Sequence, residues 1–263
     1  MPELPEVETV VQQLRKKVVN KTVHKLDILE PKVIDQKISE ILPFTIKDVS
    51  RRGKSIIMHL DNDYFLLTHL RMTGHFHYGN DINKKFLCGT FHFNDQSFLT
   101  HNSIRKFGSI TLHNKSSLEK ALSKLGPEPL ADSFTAKEFI KILTKFPNAN
   151  LKNKLLDQHC IVGIGNIYAQ EALYYAGIHP ENKIKQVSSQ KLTKLHQELQ
   201  RILLLSIENQ GSTVDNYLNL QGEGNFQNFL AVYSKTYCPR KHKLEKIKNA
   251  GRSTSYCQKC QKK

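Results

Sequence analysis

Proline stands second in MPELPEVETV, with glutamates at positions 3, 6 and 8. Removal of Met1 would free the Pro2 nitrogen, a secondary amine on a rigid ring. Attack by such an amine on an electrophilic carbon, for instance C1′ of a deoxyribose, gives an iminium that is permanently cationic. That iminium is an electron sink for departure of a base and then elimination of the phosphates. Glu3 and Glu6 lie close enough to relay protons and stabilise cationic intermediates. Lys54, in RRGKSI, offers a phosphate contact or a proton donor. The same opening also suits a plain helix start, where proline and acids are common.

Three further groups have chemistry-bearing spacing. In the tail, Cys257-Gln-Lys-Cys260 is half of a zinc site, with Cys238 as a third sulfur. His242 follows four residues after Cys238, giving C-x3-H and then C-x2-C. Four such ligands close the coordination sphere, so the zinc would be structural. The other reading is a solvated histidine, with the metal lost or held by three cysteines. Gly163-Ile-Gly165-Asn166 precedes a helix pattern, so backbone N–H groups and the Asn166 side chain would face a phosphate at a positive dipole end. Alone it reads sooner as an ordinary turn with an Asn N-cap. HLRMTG (69–74) and SIRKFGSI (103–110) each set a large side chain beside glycine at a strand edge. Met72 and Phe107 read as core or, beside His69 and Arg105, as a wedge entering a duplex when a base leaves it.

Several elements must hold these residues. Over 5–19, Val7, Val10, Val11, Leu14 and Val18 form one helical stripe. From Thr22 to about Leu112 short β-rich runs alternate with turns such as Asp61-Asn62-Asp63, the pattern of a sandwich or barrel. GPEPLADS (126–133) is a Pro-punctuated boundary. Beyond it Thr135 and Glu138 make a capping box. Helices are expected around 148–158, from Asn166 to Gly177 and from Ser189 to Asn209. A polar loop (210–226) leads into the cysteine-bearing tail. The layout is a β domain, a helical domain and a small C-terminal module.

Composition narrows the partners. With 39 Lys and Arg against 24 acids the chain carries +15, and from Tyr233 to Lys263 ten basic residues face one acid, Glu245. Such an excess points to a polyanion such as nucleic acid, although an acidic membrane surface or a need for solubility would also produce it. No apolar run is long enough to span a membrane. No signal peptide pattern precedes the first helix, so this N-terminus is expected to be the mature one. Five unevenly placed cysteines fit a reducing, cytoplasmic setting rather than a disulfide scaffold.

The motifs MPELPEVET, RRGK, HLRMTG, RKFG, GPEPL, GIGNIYAQEALYYAGIHP and SYCQKCQ occur in one order. In this the chain resembles, over nearly its full length, bacterial formamidopyrimidine-DNA glycosylase. The resemblance implies an α+β multidomain fold: an N-terminal catalytic β-sandwich with a leading helix (1–125), a linker (126–134), a helix–two-turn–helix DNA-binding domain (135–228) and a zinc-finger β-hairpin (229–263). It implies Pro2 as nucleophile, Glu3 as general acid, Lys54 as proton donor in β-elimination, and Arg252 holding phosphates and assisting δ-elimination. Met72, Arg105 and Phe107 would fill the void left by the flipped nucleotide, Arg105 facing the orphaned cytosine. Lys152 and Asn166 would grip phosphate, and the loop from Ser212 to Phe226 would close over the flipped base. The implied enzyme is a monomer associated with the bacterial nucleoid that binds double-stranded DNA with damaged bases or abasic sites. It excises oxidised purines and cuts the strand, using no metal or redox cofactor in the chemistry. An endonuclease VIII-like enzyme for oxidised pyrimidines and a non-enzymatic binder of damaged DNA are the alternatives. The chain departs from the family at Lys85-Phe86-Leu87-Cys88, where a DNA-contacting histidine is absent, and at Ser103, where aspartate is usual. It departs again at Arg71, often glycine, at Phe146-Pro147-Asn148-Ala149, a lysine-rich stretch in the family, and at the missing second zinc cysteine.

Overall fold

The computed structural model describes residues 1–214, 217–249 and 251–263. These form two compact units, Met1–Lys124 with Asn209–Gln227, and Leu125–Glu208 with Asn228–Lys263.

The first unit opens with helix α1 (Leu4–Val18), whose valines and Leu14 are buried and whose last turn carries Arg15, Lys16 and Lys17. Cations there complement the negative end of the helix dipole. Eight strands follow: β1 (Thr22–Ile28), β2 (Phe44–Arg52), β3 (Ser55–Leu60), β4 (Tyr64–His69), β5 (Gly74–Gly79), β6 (Leu87–Phe93), β7 (Phe98–Ser103) and β8 (Ser109–Asn114). Their order is β5-β7-β6-β1-β2-β3-β4-β8, with every neighbouring pair antiparallel. Only Thr22↔Thr45 and Val23↔Phe44 join β1 to β2. That narrow joint divides the ladder into two four-stranded halves, and inward residues of both, such as Phe91 and Val49, share one core with α1. The result is a β-sandwich with a leading helix. A short helix α2 (Lys115–Leu122), unexpected from the sequence, starts where Asn114 Oδ1 accepts the Ser117 N–H at 2.9 Å.

The second unit is helical. Thr135 Oγ1 accepts the Glu138 N–H at 3.3 Å and starts α3 (Ala136–Thr144), which buries Phe139 and Leu143. Helix α4 (Leu151–Leu156) is shorter than the 148–158 pattern suggested. Helix α5 (Asn166–Ala176) ends at Gly177 with φ 69°, a left-handed conformation that glycine adopts without penalty. Its N-cap is Gly165 rather than Asn166. Helix α6 (Ser189–Glu208) buries Leu192, Leu195, Leu199, Ile202 and Leu203 along one stripe. A hairpin of β9 (Glu245–Asn249) and β10 (Arg252–Tyr256) follows. The final residues return to the end of α5: the Lys262 N–H donates to Gly177 O at 3.2 Å, and Lys262 O accepts the His179 N–H at 3.1 Å. No helix among the described residues is long and apolar enough to cross a membrane.

Candidate active site

Pro2 lies just ahead of α1 and is buried, as are Glu3 and Glu6, at 3 % and 2 % exposure. Glu6 Oε2 accepts the Glu3 N–H at 2.8 Å, and Glu6 Oε1 accepts the Ser212 N–H at 2.9 Å. One carboxylate therefore ties the N-terminal turn to the loop after α6. Tyr217 reinforces this tie by donating its hydroxyl to Glu6 O at 3.1 Å. Gly211 makes the approach possible: its φ is 78°, and an added Cβ would stand 3.0 Å from Glu6 Cγ. Asp215 and Asn216 of the Ser212–Phe226 loop lie outside the described residues.

Lys54 is also buried, in the turn between β2 and β3 where Gly53 has φ 57°. Two bonds from Arg51 fix that turn. Its Nε donates to Glu8 Oε2 of α1 at 2.9 Å, and its Nη1 donates to Gly53 O at 3.0 Å. Helix α1 packs on β2 and β3, so the helix bearing the glutamates and the turn bearing Lys54 are packed together. Ser55 pairs with His69 across β3 and β4, which brings His69 beside Lys54. Burial, then the charges of Arg71 and Lys54, push the His69 imidazole down to about 4. It is neutral at pH 7, and its Nδ1 accepts the Arg71 N–H at 3.1 Å. Two buried carboxylates in the N-terminal turn, and a buried ammonium in the β2–β3 turn that Arg51 ties to α1, are groups that can move protons and stabilise a cation.

Met72 and Phe107 are exposed by 41 % and 62 %, so neither is core. They sit on two adjacent turns. Thr73 Oγ1 accepts the Arg105 N–H at 3.0 Å and lies 3.2 Å from Ser103 Oγ, which also accepts the Lys106 N–H. Arg105 Nη1 donates to Met72 Sδ at 2.9 Å, and its guanidinium lies 5.4 Å from the Phe107 ring centroid. Arg71 has φ 55°, a left-handed position that favours glycine and is filled here by a larger residue at a steric cost.

In the second unit Asn166 is half-exposed and also makes bonds within the unit. Its Oδ1 accepts from Lys152 Nζ at 2.8 Å, and its Nδ2 donates to Ser253 O of β10 at 3.2 Å. Lys152 has no exposed surface and also donates to Thr254 Oγ1 at 2.9 Å. Arg252, at the start of β10, is exposed and pairs with Asn249. The catalytic candidates Pro2, Glu3, Glu6 and Lys54 thus share the first unit with His69, Met72, Arg105 and Phe107. Arg252 belongs to the second unit with Lys152, Asn166 and the metal candidates.

Cys238, His242, Cys257 and Cys260 place their ligand atoms within 4.8 Å of one another. His242 Nδ1 lies 3.6 Å from Cys257 Sγ and 3.4 Å from Cys260 Sγ. Tetrahedral zinc with ordinary Zn–S and Zn–N bonds sets S···N edges of about 3.5 Å, so the donors fit that ion. The extra residue of C-x3-H is absorbed where Lys241 takes φ 61° and donates its N–H to Cys238 O at 2.8 Å.

Two residues not singled out by sequence hold the second unit together. Glu171 is buried on α5 and accepts the N–H groups of Ala231, Val232 and Tyr233 at 2.7, 3.0 and 2.8 Å. Gln170 accepts the Ser255 N–H at 2.6 Å and donates to Asn166 O at 2.9 Å. A charged residue inside the apolar run of YAQEALYY is the signal that marks Glu171.

Residues 1–110 match the family model for the formamidopyrimidine-DNA glycosylase N-terminal domain, and residues 125–217 match that for its H2TH domain. The chain is 41 % identical over 275 residues to the formamidopyrimidine-DNA glycosylase of Shouchella clausii, covering 99 % of each chain. It is 40 % identical to that of Bacillus subtilis, covering 100 % of each. Among solved structures, a mutant Lactococcus lactis Fpg in complex with a Fapy-dG containing DNA superposes with a TM-score of 0.93 at 35 % identity, covering 100 % of each chain. The Lactococcus lactis Fpg with an abasic site containing DNA gives 0.92 at 34 %, covering 99 % of this chain and 100 % of that one.

Proposed function

This chain belongs to the formamidopyrimidine-DNA glycosylase family and is a DNA glycosylase and abasic-site lyase of DNA repair, and from that premise we propose that it excises oxidised purines through a covalent Pro2 intermediate. Its substrates are 8-oxoguanine and formamidopyrimidines in double-stranded DNA. The observation that carries this reading is the burial of Glu3 and Glu6 in the N-terminal turn and of Lys54 in the β2–β3 turn tied to α1, a cost in desolvation that a plain helix start does not require.

With Met1 removed, the Pro2 nitrogen attacks C1′ of the flipped nucleotide, the N-glycosidic bond breaks, and Glu3 delivers a proton as the sugar ring opens. The resulting iminium draws electrons from the C2′–H bond, and the 3′ phosphate leaves with proton transfer through Lys54. Loss of a second proton expels the 5′ phosphate, whose charge Arg252 offsets. Glu6 has both carboxylate oxygens engaged by backbone N–H groups, Glu3 on one side and Ser212 on the other. It positions the glutamate relay and the loop together. Met72, Arg105 and Phe107 take the vacated place in the duplex. Lys152 supports phosphate binding from below by fixing Asn166. Cys238, His242, Cys257 and Cys260 would hold zinc, which cross-links the hairpin that presents Arg252.

The test is borohydride trapping on a duplex with one 8-oxoguanine opposite cytosine, beside a dihydrothymine duplex. A covalent adduct on the 8-oxoguanine strand is expected, and none from protein that retains Met1. An adduct only with dihydrothymine would make the substrate an oxidised pyrimidine. Tight binding without any adduct would leave a binder of damaged DNA.

A further inference from the structure

We propose that Met72 is an oxidation site: peroxide converts its thioether to the sulfoxide, and the modified side chain no longer serves lesion-bearing DNA. The inference rests on the reading of Met72, Arg105 and Phe107 as the side chains that enter the duplex. The chain has three methionines. Met58 is 1 % exposed inside the sandwich core, and Met1 precedes the proline whose nitrogen must be free. Met72, 41 % exposed, is therefore the accessible thioether of the working enzyme. Susceptibility of methionine follows exposure. The turn that bears it is closed by the Gly74 N–H donating to Leu70 O at 3.0 Å, so the sulfur is held outward rather than folded into the core.

Its neighbour makes this sulfur unlike an isolated surface methionine. Arg105 Nη1 stands 2.9 Å from Sδ. The sulfur lone pair attacks one oxygen of hydrogen peroxide, and the S–O bond forms as the O–O bond breaks. The departing hydroxide takes the proton carried by the transferred oxygen and leaves as water. Sulfur is oxidised by two electrons and the peroxide reduced by two. A guanidinium beside the sulfur stabilises the hydroxide as it departs. It then meets a product oxygen that accepts hydrogen bonds far better than a thioether does. Arg105 is thereby held to the protein and withdrawn from an orphaned base, while a polar group replaces the apolar edge against stacked bases. Exposed phosphate contacts such as Arg252 are untouched, so grip on undamaged DNA persists.

The experiment treats the full-length protein with hydrogen peroxide, then with a thiol to reverse reducible cysteine oxidation. The tryptic peptide Met72–Lys84, which contains a single methionine, is expected to gain one oxygen while the peptide carrying Met58 does not. Excision of 8-oxoguanine, read as kcat/KM, should fall on the order of tenfold, the loss of one hydrogen bond from a charged group. Binding to undamaged duplex should hold, and methionine sulfoxide reductase should restore excision. Met72→Leu, compared with its own untreated rate, should be insensitive to peroxide. An oxygen on Met72 without loss of excision would overturn the proposal. So would an unmodified Met72, or an equal loss in Met72→Leu, which would place the damage at the cysteines. Failure of the underlying reading looks different: untreated Met72→Ala would excise as the unmodified enzyme does. An impaired Met72→Ala beside an unimpaired sulfoxide refutes only the present inference.

Discussion

His69 and His101 are kept neutral by the fold, and that has a thermodynamic signature. His101 has no exposed surface, lies 5.1 Å from the Phe76 ring, and neither ring nitrogen has a hydrogen-bond partner among the described residues. Burial, with a smaller contribution from His75, pushes it down to about 3. The turns bearing Met72 and Phe107 close over it, and an added Cβ at Gly74 would lie 3.2 Å from its ring. Both histidines have folded values below the unfolded 6.5. The unfolded chain therefore binds more protons as pH falls, and stability present above pH 6.5 is lost downward, to about 4 for His69 and about 3 for His101. Each contributes a slope of up to about 1.4 kcal/mol per pH unit. Urea denaturation at pH 7 and pH 5 should show this loss, to which His75 and His179, also lowered by burial, add, and His101→Leu should remove the share that His101 supplies. An unchanged slope in that variant would mean that His101 does not resist protonation in the folded state.

Sequence periodicity exposes the secondary elements more readily than the bonds that join them. The Val7, Val10, Val11, Leu14, Val18 stripe and the Thr135–Glu138 cap are local patterns, and both reappear in the structure. Helix α2 escaped because eight residues directly after a strand offer little periodicity. Asn166 looked like a cap, yet Gly165 takes that place because Asn166 is drawn to Lys152 and Ser253. The burial of Lys152 was equally illegible, since its acceptor Thr254 lies 102 residues away. The metal module was legible as a ligand set because Cys and His spacing is itself local. Its prediction follows from the four donors: removing His242 as His242→Ala should weaken zinc binding on the order of a hundredfold, given about 10–16 kcal/mol shared by four ligands. His242→Cys should keep the metal. Zinc content measured by mass spectrometry checks both, and equal content in all three proteins would exclude His242 as a ligand.

Taken together, the chain carries +15, with an excess of nine positive charges over its last 31 residues. Binding to duplex DNA should then weaken steeply with salt, by about −0.9 in the log–log slope for each phosphate neutralised. Arg252→Ala should flatten that slope by roughly one such step; fluorescence anisotropy over a salt series reads it, and an unaltered slope would remove Arg252 from the phosphate contacts. The polar loop after α6, which the family resemblance sets over the flipped base, belongs with the first unit, because Glu6 and Gln13 accept the Ser212 and Leu220 N–H groups from more than 200 residues away. The pairing of Lys262 with Gly177 and His179 has a practical corollary for anyone producing this protein. An affinity handle fused after Lys263 would begin one residue beyond a paired backbone, and one fused at the front would block the proline amine. The exposed Asn80–Asp81 turn is the place to insert a purification epitope that leaves the proline amine and the Lys262 pairing undisturbed.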